Sequence, residues 1–249
     1  MGGDVAALAR DWRDATHAAV CDVVEPWAHG TVVRATRYPS YFDFNLVRVE
    51  DDPAMSVEDL TAFADEALGG LAHRRMDFDL VDAARPLQAG FADKGWKIVC
   101  LVWMRHEGAP PPGPQIAVEE VDYDAVHDLR VAWHGEDFPD RDDRDYHAQA
   151  REVAMRRDAR VLTVRAGRVP VAFAQLERVG AAAEITQVYV HPEYRGGGRG
   201  TAMTRAAIEA AGDVRDLWIV ADDADRPKEL YARLGFRAAW TTVELTLWP

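Results

Sequence analysis

The sequence predicts an α/β fold of the mixed-sheet (α+β) kind, laid out as two successive halves. Three observations carry this expectation. Strand-like apolar runs alternate with amphipathic helix-like segments along all 249 residues, a proline-rich break interrupts them near the middle, and short matches recur on either side of the break. The break reads "HEGAPPPGPQ" over 106–115. Three consecutive prolines among glycines make a stiff, extended connector that neither a helix nor a central strand accommodates. The expected division is therefore 1–106, a connector over 107–115, and 116–249.

The recurrence has a constant spacing. "DAARP" at 82–86 returns as "DADRP" at 223–227, a shift of 141 residues, and at the same shift "VRV" (47–49) falls on "VYV" (188–190). With one residue of slippage "FADKGWKIVCLVWM" (91–104) covers the chain from Tyr231 onward, each a helix stopped by glycine and followed by a strand. A degenerate tandem repeat is the expectation.

Element by element, Val5, Leu8, Trp12, Ala19 and Val23 read as the buried stripe of an N-terminal amphipathic helix. In the second half the order is a strand over Ile116 to Val121, helices over Tyr123 to Trp133 and about Tyr146 to Arg157, then strands over 160–165, 169–178 and 183–190. The turns "AG" and "GA" between these three strands are short, so they should pair antiparallel. A helix over 199–211, a strand over 214–221, a helix over 227–234 and a last strand after Phe236 follow. Their crossover connections imply parallel pairing, hence a mixed sheet with helices on its faces.

Composition bounds the function. Apolar residues make up 48% of the chain, enough for a real core, and the net charge of -13 argues against a nucleic-acid or anionic-membrane surface while favouring cationic small partners. Cys21 and Cys100 lie in apolar surroundings without metal-ligand spacing, which implies no metal and fits a reducing, cytoplasmic compartment. The N-terminus carries charges every few residues and reads as neither signal peptide nor membrane span.

One stretch stands apart: "HPEYRGGGRG", 191–200, with four glycines between a strand-like run and a helix-like one. A helix N-terminus is an anion site by construction, because its first amides lack intrahelical partners and its dipole end is positive. Glycine lets those amides reach a phosphate without a Cβ in the way, and Arg195 and Arg199 add charge suited to a pyrophosphate. The nucleoside-triphosphate loop is excluded because no lysine follows the glycines, and the dinucleotide fingerprint because Thr201 stands where its third glycine would be.

With "VYVHPEYRGGGRG" and the downstream "DLWIVAD" and "LYARLGF", the chain from Gln115 onward resembles the GNAT superfamily of acetyl-CoA-dependent N-acetyltransferases. Its Q/R-x-x-G-x-G/A signature is met by Arg195, Gly196, Gly197, Gly198, Arg199 and Gly200. The resemblance implies two tandem acetyltransferase-like domains. It implies that the run Val188, Tyr189, Val190 meets the pantetheine arm, with the amides of Val188 and Val190 as its partners. It also implies that the amides of Gly196 to Thr201 hold the pyrophosphate of acetyl-CoA. In the first half "RGGGRG" becomes "AMSVED" (54–59), without glycine or arginine and with two acids that would repel phosphate, so that half is expected to be catalytically silent.

The chemistry implied is acetyl transfer to a primary amine by direct attack in a ternary complex. The alternative class is a non-catalytic acyl-CoA-binding or interaction module. Tyr231, four residues before Gly235, stands where the family's general-acid tyrosine usually lies; under the shift its counterpart is Gly90 or Phe91. Glu184, eleven residues before Arg195, stands where some members carry a catalytic glutamate, with Asp43 as its counterpart. The loop "WHGEDFPDRDDRDYH" is expected near the acceptor. Its Glu136, Asp137, Asp140, Asp142, Asp143 and Asp145 outnumber Arg141 and Arg144, which suits a cationic amine, and His134 is a second candidate base. Covalent catalysis is disfavoured, since Ser40 and Ser56 are the only serines and neither lies in a nucleophile-elbow context. "ADDADRP" places Ala224 or a neighbouring aspartate where members often carry asparagine.

Overall fold

The computed structural model describes residues 4–138 and 144–248. The chain divides into two compact units whose make-up is interleaved. Unit 1 takes residues up to Trp103, Ala221–Asp225 and the chain from Ala238 onward; unit 2 takes Met104–Val220 and Arg226–Arg237.

Unit 1 begins with α1 (Val5–Val20), β1 (Val23–Trp27), β2 (Gly30–Arg34), a 3-10 turn (Phe42–Phe44) and β3 (Asn45–Val49). It continues with α2 (Val57–Ala67), β4 (Arg74–Phe78), α3 (Val81–Ala84), α4 (Gln88–Asp93) and most of β5 (Lys97–His106). Unit 2 holds β6 (Glu119–Val121), a 3-10 turn (Tyr123–Val126), α5 (His127–Asp137), α6 (Arg144–Arg156), β7 (Arg160–Ala166), β8 (Val169–Val179) and β9 (Ala182–Val190). It goes on with α7 (Arg199–Ala211), most of β10 (Asp216–Asp222) and α8 (Pro227–Arg233), while β11 (Phe236–Leu247) lies mainly in unit 1.

The sheet order is β1-β2-β3-β4-β11-β5 in unit 1 and β10-β9-β8-β7-β6 in unit 2. As the short turns require, β7, β8 and β9 form an antiparallel meander, and the crossover through α7 makes β10 parallel to β9. In unit 2, Phe173 and Tyr189 pack with Val126, Leu129 and Val161 beneath α5, while α7 covers the opposite face of β8 and β9.

The N-terminal helix corrects the sequence reading. α1 ends at Val20 and Val23 opens β1; the stripe that is buried is Ala9, Trp12, Arg13, Thr16, His17 and Val20. The helical spacing is kept but its phase is set by a charge. The Arg13 guanidinium is buried because it forks onto the Asp79 carboxylate at 2.5 and 3.1 Å, a pairing that local periodicity cannot show.

The last strand completes the sheet of unit 1. β11 runs antiparallel to β4 from Val243 opposite Phe78 to Leu247 opposite Arg74, and Val243 and Leu245 join the core cluster that holds Met76, Phe78 and Trp96. Glu244 lies opposite Asp77, and Arg75 gathers Glu244 (2.7 Å), Asp77 (3.0 Å) and Asp43 (2.5 Å) around one guanidinium. Burial pushes the Glu244 carboxyl up to about 7, with Arg75 offsetting only part of it and Asp77 and Asp43 adding to it. An unfolded glutamate titrates near ~4.3. Below that value Glu244 is protonated in both states and its contribution is complete; above it the native state alone holds the proton, so stability falls as pH rises towards about 7. Denaturant midpoints measured from pH 5 to 8 are expected to decline, and Glu244→Gln is expected to flatten the decline. A wild-type midpoint independent of pH would contradict this.

Candidate active site

The amides available to a ligand in unit 2 follow from where pairing stops. β10 pairs with β9 from Asp216 opposite Ala182 to Ile219 opposite Ile185, and no further. Beyond that point β9 bulges: its register against β8 slips between Phe173 and Gln175, and Gln187 has φ 51°, a left-handed conformation uncommon for a residue with a side chain. Past the bulge the His191 amide donates to the Val171 carbonyl at 3.0 Å and Tyr189 lies opposite Phe173. By antiparallel alternation Tyr189 spends its backbone groups on β8, while Val188 and Val190 turn theirs the other way, into the parted edge. The Val190 carbonyl there accepts from Arg195 Nε at 2.9 Å.

The glycine loop closes the end of that edge. A 3-10 turn over Pro192–Tyr194 leads into it, and α7 starts at Arg199 with Gly198 as N-cap in the left-handed region, φ 79°, with no side-chain cap. Gly196 is left-handed too, at φ 91°. The first amide to bond back along the helix is that of Ala202, to the Gly198 carbonyl at 3.0 Å, so the amides of Gly200 and Thr201 lack intrahelical partners. Gly200 abuts α8: a Cβ there would stand 3.6 Å from Leu230 Cδ2. Pro114 of the connector approaches the loop as well, and a groove of about 560 Å³ runs between the connector and α7.

The three loop glycines are not equivalent. A methyl on Gly198 would combine the positive φ with a 3.0 Å approach to Pro114 Cγ, whereas a methyl on Gly197 would meet only the movable end of Arg199, at 2.6 Å. Gly198→Ala is expected to weaken binding of a pyrophosphate-bearing ligand at the loop about tenfold and Gly197→Ala by less than about threefold. Calorimetric titration checks the pair; equal losses would contradict the assignment of roles.

The loop arginines have protein partners here. Arg195 Nη2 donates to Glu136 Oε2 at 2.6 Å, and Arg199 Nη1 donates to the Tyr194 carbonyl at 3.0 Å. Glu136 also accepts from the Tyr189 hydroxyl at 2.5 Å. Burial alone would push the Glu136 carboxyl up, but the hydrogen bonds from Tyr189 and Arg195 outweigh it and hold it below the usual range. Burial, followed by the bond to Glu136, pushes the Tyr189 phenol up to about 12.

Tyr231 lies on α8, 6% exposed, with Phe236 at 6.3 Å between ring centroids. Burial pushes its phenol up to about 12, so it stays protonated throughout the physiological range. Its hydroxyl has no hydrogen-bond partner among the described residues, which leaves the proton available to a ligand.

Glu184 is the third residue of β9, on the stretch still paired with β10, where it lies opposite Trp218. It also lies opposite Glu177 of β8, and Arg157 bridges the two carboxylates, meeting Glu177 closely and Glu184 at 3.3 Å. Burial pushes the Glu177 carboxyl up despite Arg157. Periodicity gave no sign of this buried network.

His134, the second candidate base, lies on α5. It is 7% exposed and stacks on Tyr146 at 4.4 Å, with Phe138 and His147 also beside it. Its neighbours at helical spacing and on α6 are aromatic, and that clustering was the signal for burial. Asp137 is exposed at the end of α5 and Asp145 at the start of α6, while Asp140, Arg141, Asp142 and Asp143 lie outside the described residues. The Ala224 amide, in unit 1, donates to Asp222 at 2.8 Å. Neither Cys21 nor Cys100 is in a disulfide, and burial pushes Cys21 up to about 12. Among the described residues no group of His, Cys, Asp and Glu is placed to hold a metal, and no helix is long and apolar enough to cross a membrane.

Comparison with known proteins bears on the same segment. Residues 123–236 match the family model described as "Acetyltransferase (GNAT) family". No match was found among curated proteins. Among solved structures, the chain is similar to a functionally unknown conserved protein from Staphylococcus epidermidis, at 15% identity and TM-score 0.71, covering 91% of this chain and 93% of that one. It is similar to a GCN5-related N-acetyltransferase from Kribbella flavida, at 19% identity and TM-score 0.62, covering 99% and 96%. A GCN5-related N-acetyltransferase from Sphaerobacter thermophilus aligns over 81% of this chain and 73% of its own, at 14% identity and TM-score 0.52. At these identities the likeness is one of fold. The glycine loop, the parted strands and the tyrosine helix thus fall within residues 123–236, the segment that is similar to the GNAT acetyltransferase family.

Proposed function

We propose that unit 2 transfers an acetyl group from acetyl-CoA directly to a primary amine, and that unit 1 is a degenerate copy of the same fold without a cofactor site. The observation that carries this reading is a contrast at equivalent positions. In unit 2 the run 188–190 lies beyond the end of pairing with β10; in unit 1 the run 47–49 is zipped to β4, Val47 opposite Met76 and Val49 opposite Phe78. Pairing there continues past the strand end, the Asp79 amide donating to the Val49 carbonyl at 2.9 Å. The helix that follows starts differently too. α2 is capped by Ser56, whose Oγ accepts from the Asp59 amide at 3.1 Å, and carries Glu58 and Asp59 in its first turn, so its positive end is already met by its own acids. Of the two counterparts of Tyr231, Gly90 and Phe91, Gly90 packs so tightly on Val57 that a Cβ would fall 2.9 Å from Val57 Cγ2, and Phe91 has no hydroxyl.

In the proposed reaction the pantetheine arm pairs with Val188 and Val190 as a neighbouring strand would, and the pyrophosphate takes the amides of Gly196 to Thr201. Arg195 and Arg199 exchange their protein partners for phosphate oxygens. The neutral amine attacks the thioester carbon, a C–N bond forms and the C–S bond breaks, and Tyr231 gives its proton to the departing thiolate. The amine's surplus proton leaves through Glu184 by way of water. The acceptor is a cationic amine drawn to the carboxylates at the ends of α5 and α6, Asp137 and Asp145 among them.

Thiol release from acetyl-CoA against a panel of primary amines tests the reading. Amine-dependent release supports it. Tight acetyl-CoA binding with no release for any amine would instead identify a non-catalytic acyl-CoA-binding module.

A further inference from the structure

The bulge that frees the Val188 and Val190 backbone is an unfavourable conformation for Gln187, and one side chain spans it. Arg130 of α5 is 3% exposed, its guanidinium 3.9 Å from the Tyr123 ring centre and 4.8 Å from that of Phe173. Its Nη1 donates to Gln187 Oε1 on β9, and its Nη2 donates to Gln175 Oε1 on β8 at 2.6 Å. Gln175 is the residue at which the β8 register slips, so the planar fork grips both strands at the irregularity itself. Gln175 cannot turn its amide away, because its Nε2 donates to Glu177 Oε1 at 2.5 Å and Glu177 is held by Arg157. The same helix holds the bulged strand again two turns on, where Glu136 accepts from Tyr189.

We propose that Arg130 is a positioning residue: through Gln187 it holds the β9 bulge in place and so keeps the cofactor-facing edge of Val188 and Val190 parted and ordered. It touches neither the reacting atoms nor the loop. A left-handed Gln187 costs free energy that a regular strand would recover by sliding the register, and the fork opposes that slide. The consequence for acetyl-CoA rests on the function proposed above; the consequence for the strand does not.

The test uses the full chain with Gln187→Leu, Gln187→Glu and Arg130→Lys. Leucine keeps the strain of the left-handed position but removes the acceptor, so the variant deletes the latch and leaves the slide's driving force in place. Glutamate keeps an acceptor for Arg130. Amide exchange is followed at Tyr189 and His191, whose amides are bonded to β8. Gln187→Leu and Arg130→Lys are expected to speed exchange there about tenfold, and Gln187→Glu is expected to keep the wild-type rate. For Gln187→Leu the KM for acetyl-CoA is expected to rise about tenfold with kcat changed less than about threefold. Unchanged exchange in Gln187→Leu, or exchange in Gln187→Glu as fast as in Gln187→Leu, would overturn the proposal. If the wild-type chain binds no acetyl-CoA, the reading of function fails while the exchange measurements still decide the latch.

Discussion

Tyr231→Phe is expected to lower kcat for amine-dependent thiol release by about a hundredfold while leaving the thermal midpoint within about a degree. Both halves of this expectation follow from the site. The tyrosine is 6% exposed and its phenol, pushed up to about 12 by burial, carries a proton throughout the physiological range. Phenylalanine fills nearly the same volume, and the hydroxyl removed has no protein partner among the described residues to orphan. Stability therefore has little to lose, while the departing thiolate loses its proton donor. The pH dependence adds a second check: a general acid titrating near 12 imposes no alkaline fall in kcat below about pH 9, so any such fall belongs to another group. An unchanged kcat in Tyr231→Phe would remove the tyrosine from the mechanism.

Ending the chain at Arg237 is expected to abolish the cooperative unfolding of unit 1. Residues 238–247 form the part of β11 that belongs to unit 1, and they serve it in three ways at once. They pair with all of β4 from Arg74 to Phe78. They bring Val243 and Leu245, each fully buried, into the core with Met76 and Phe78. They also bring Trp240, whose Nε1 donates to the Asp79 carbonyl at 3.1 Å and whose ring faces the Arg13 guanidinium at 4.8 Å, so the buried Arg13–Asp79 pair loses its cover with the strand. Trp240→Ala is a gentler version and is expected to cost about 3–5 kcal/mol in urea denaturation. A truncated chain with an intact two-state transition for unit 1 would show that β11 is dispensable there.

How much of this was legible in the sequence depended on range. The glycine loop and α7 were, because a left-handed N-cap and a following amphipathic stripe are local demands that glycine spacing and periodicity record, and α7 runs over the very residues expected, Arg199–Ala211. The β7–β9 meander was legible for the same reason, through its two short turns. β6 shrank to Glu119–Val121, since valine and isoleucine after a proline run suggest more strand than an edge supports. Burial of Arg13 depends on Asp79 and that of Glu177 on Arg157, and the β9 bulge is met by Arg130; each partner stands far off in sequence, where no period reaches. The pairing of β11 with β4 is the longest-range case, joining residues near 76 to residues near 245. The burial of His134 comes from ring contacts with Phe138 four residues on, and with Tyr146 and His147 on the next helix.

In the proposed function one glycine loop, in unit 2, grips acetyl-CoA, and the zipped strands and capped helix of unit 1 grip none. Calorimetric titration of the whole chain with acetyl-CoA measures it directly. One equivalent bound per chain is expected, with binding weakened about tenfold in Gly198→Ala. Two equivalents per chain, or one that Gly198→Ala leaves untouched, would contradict it.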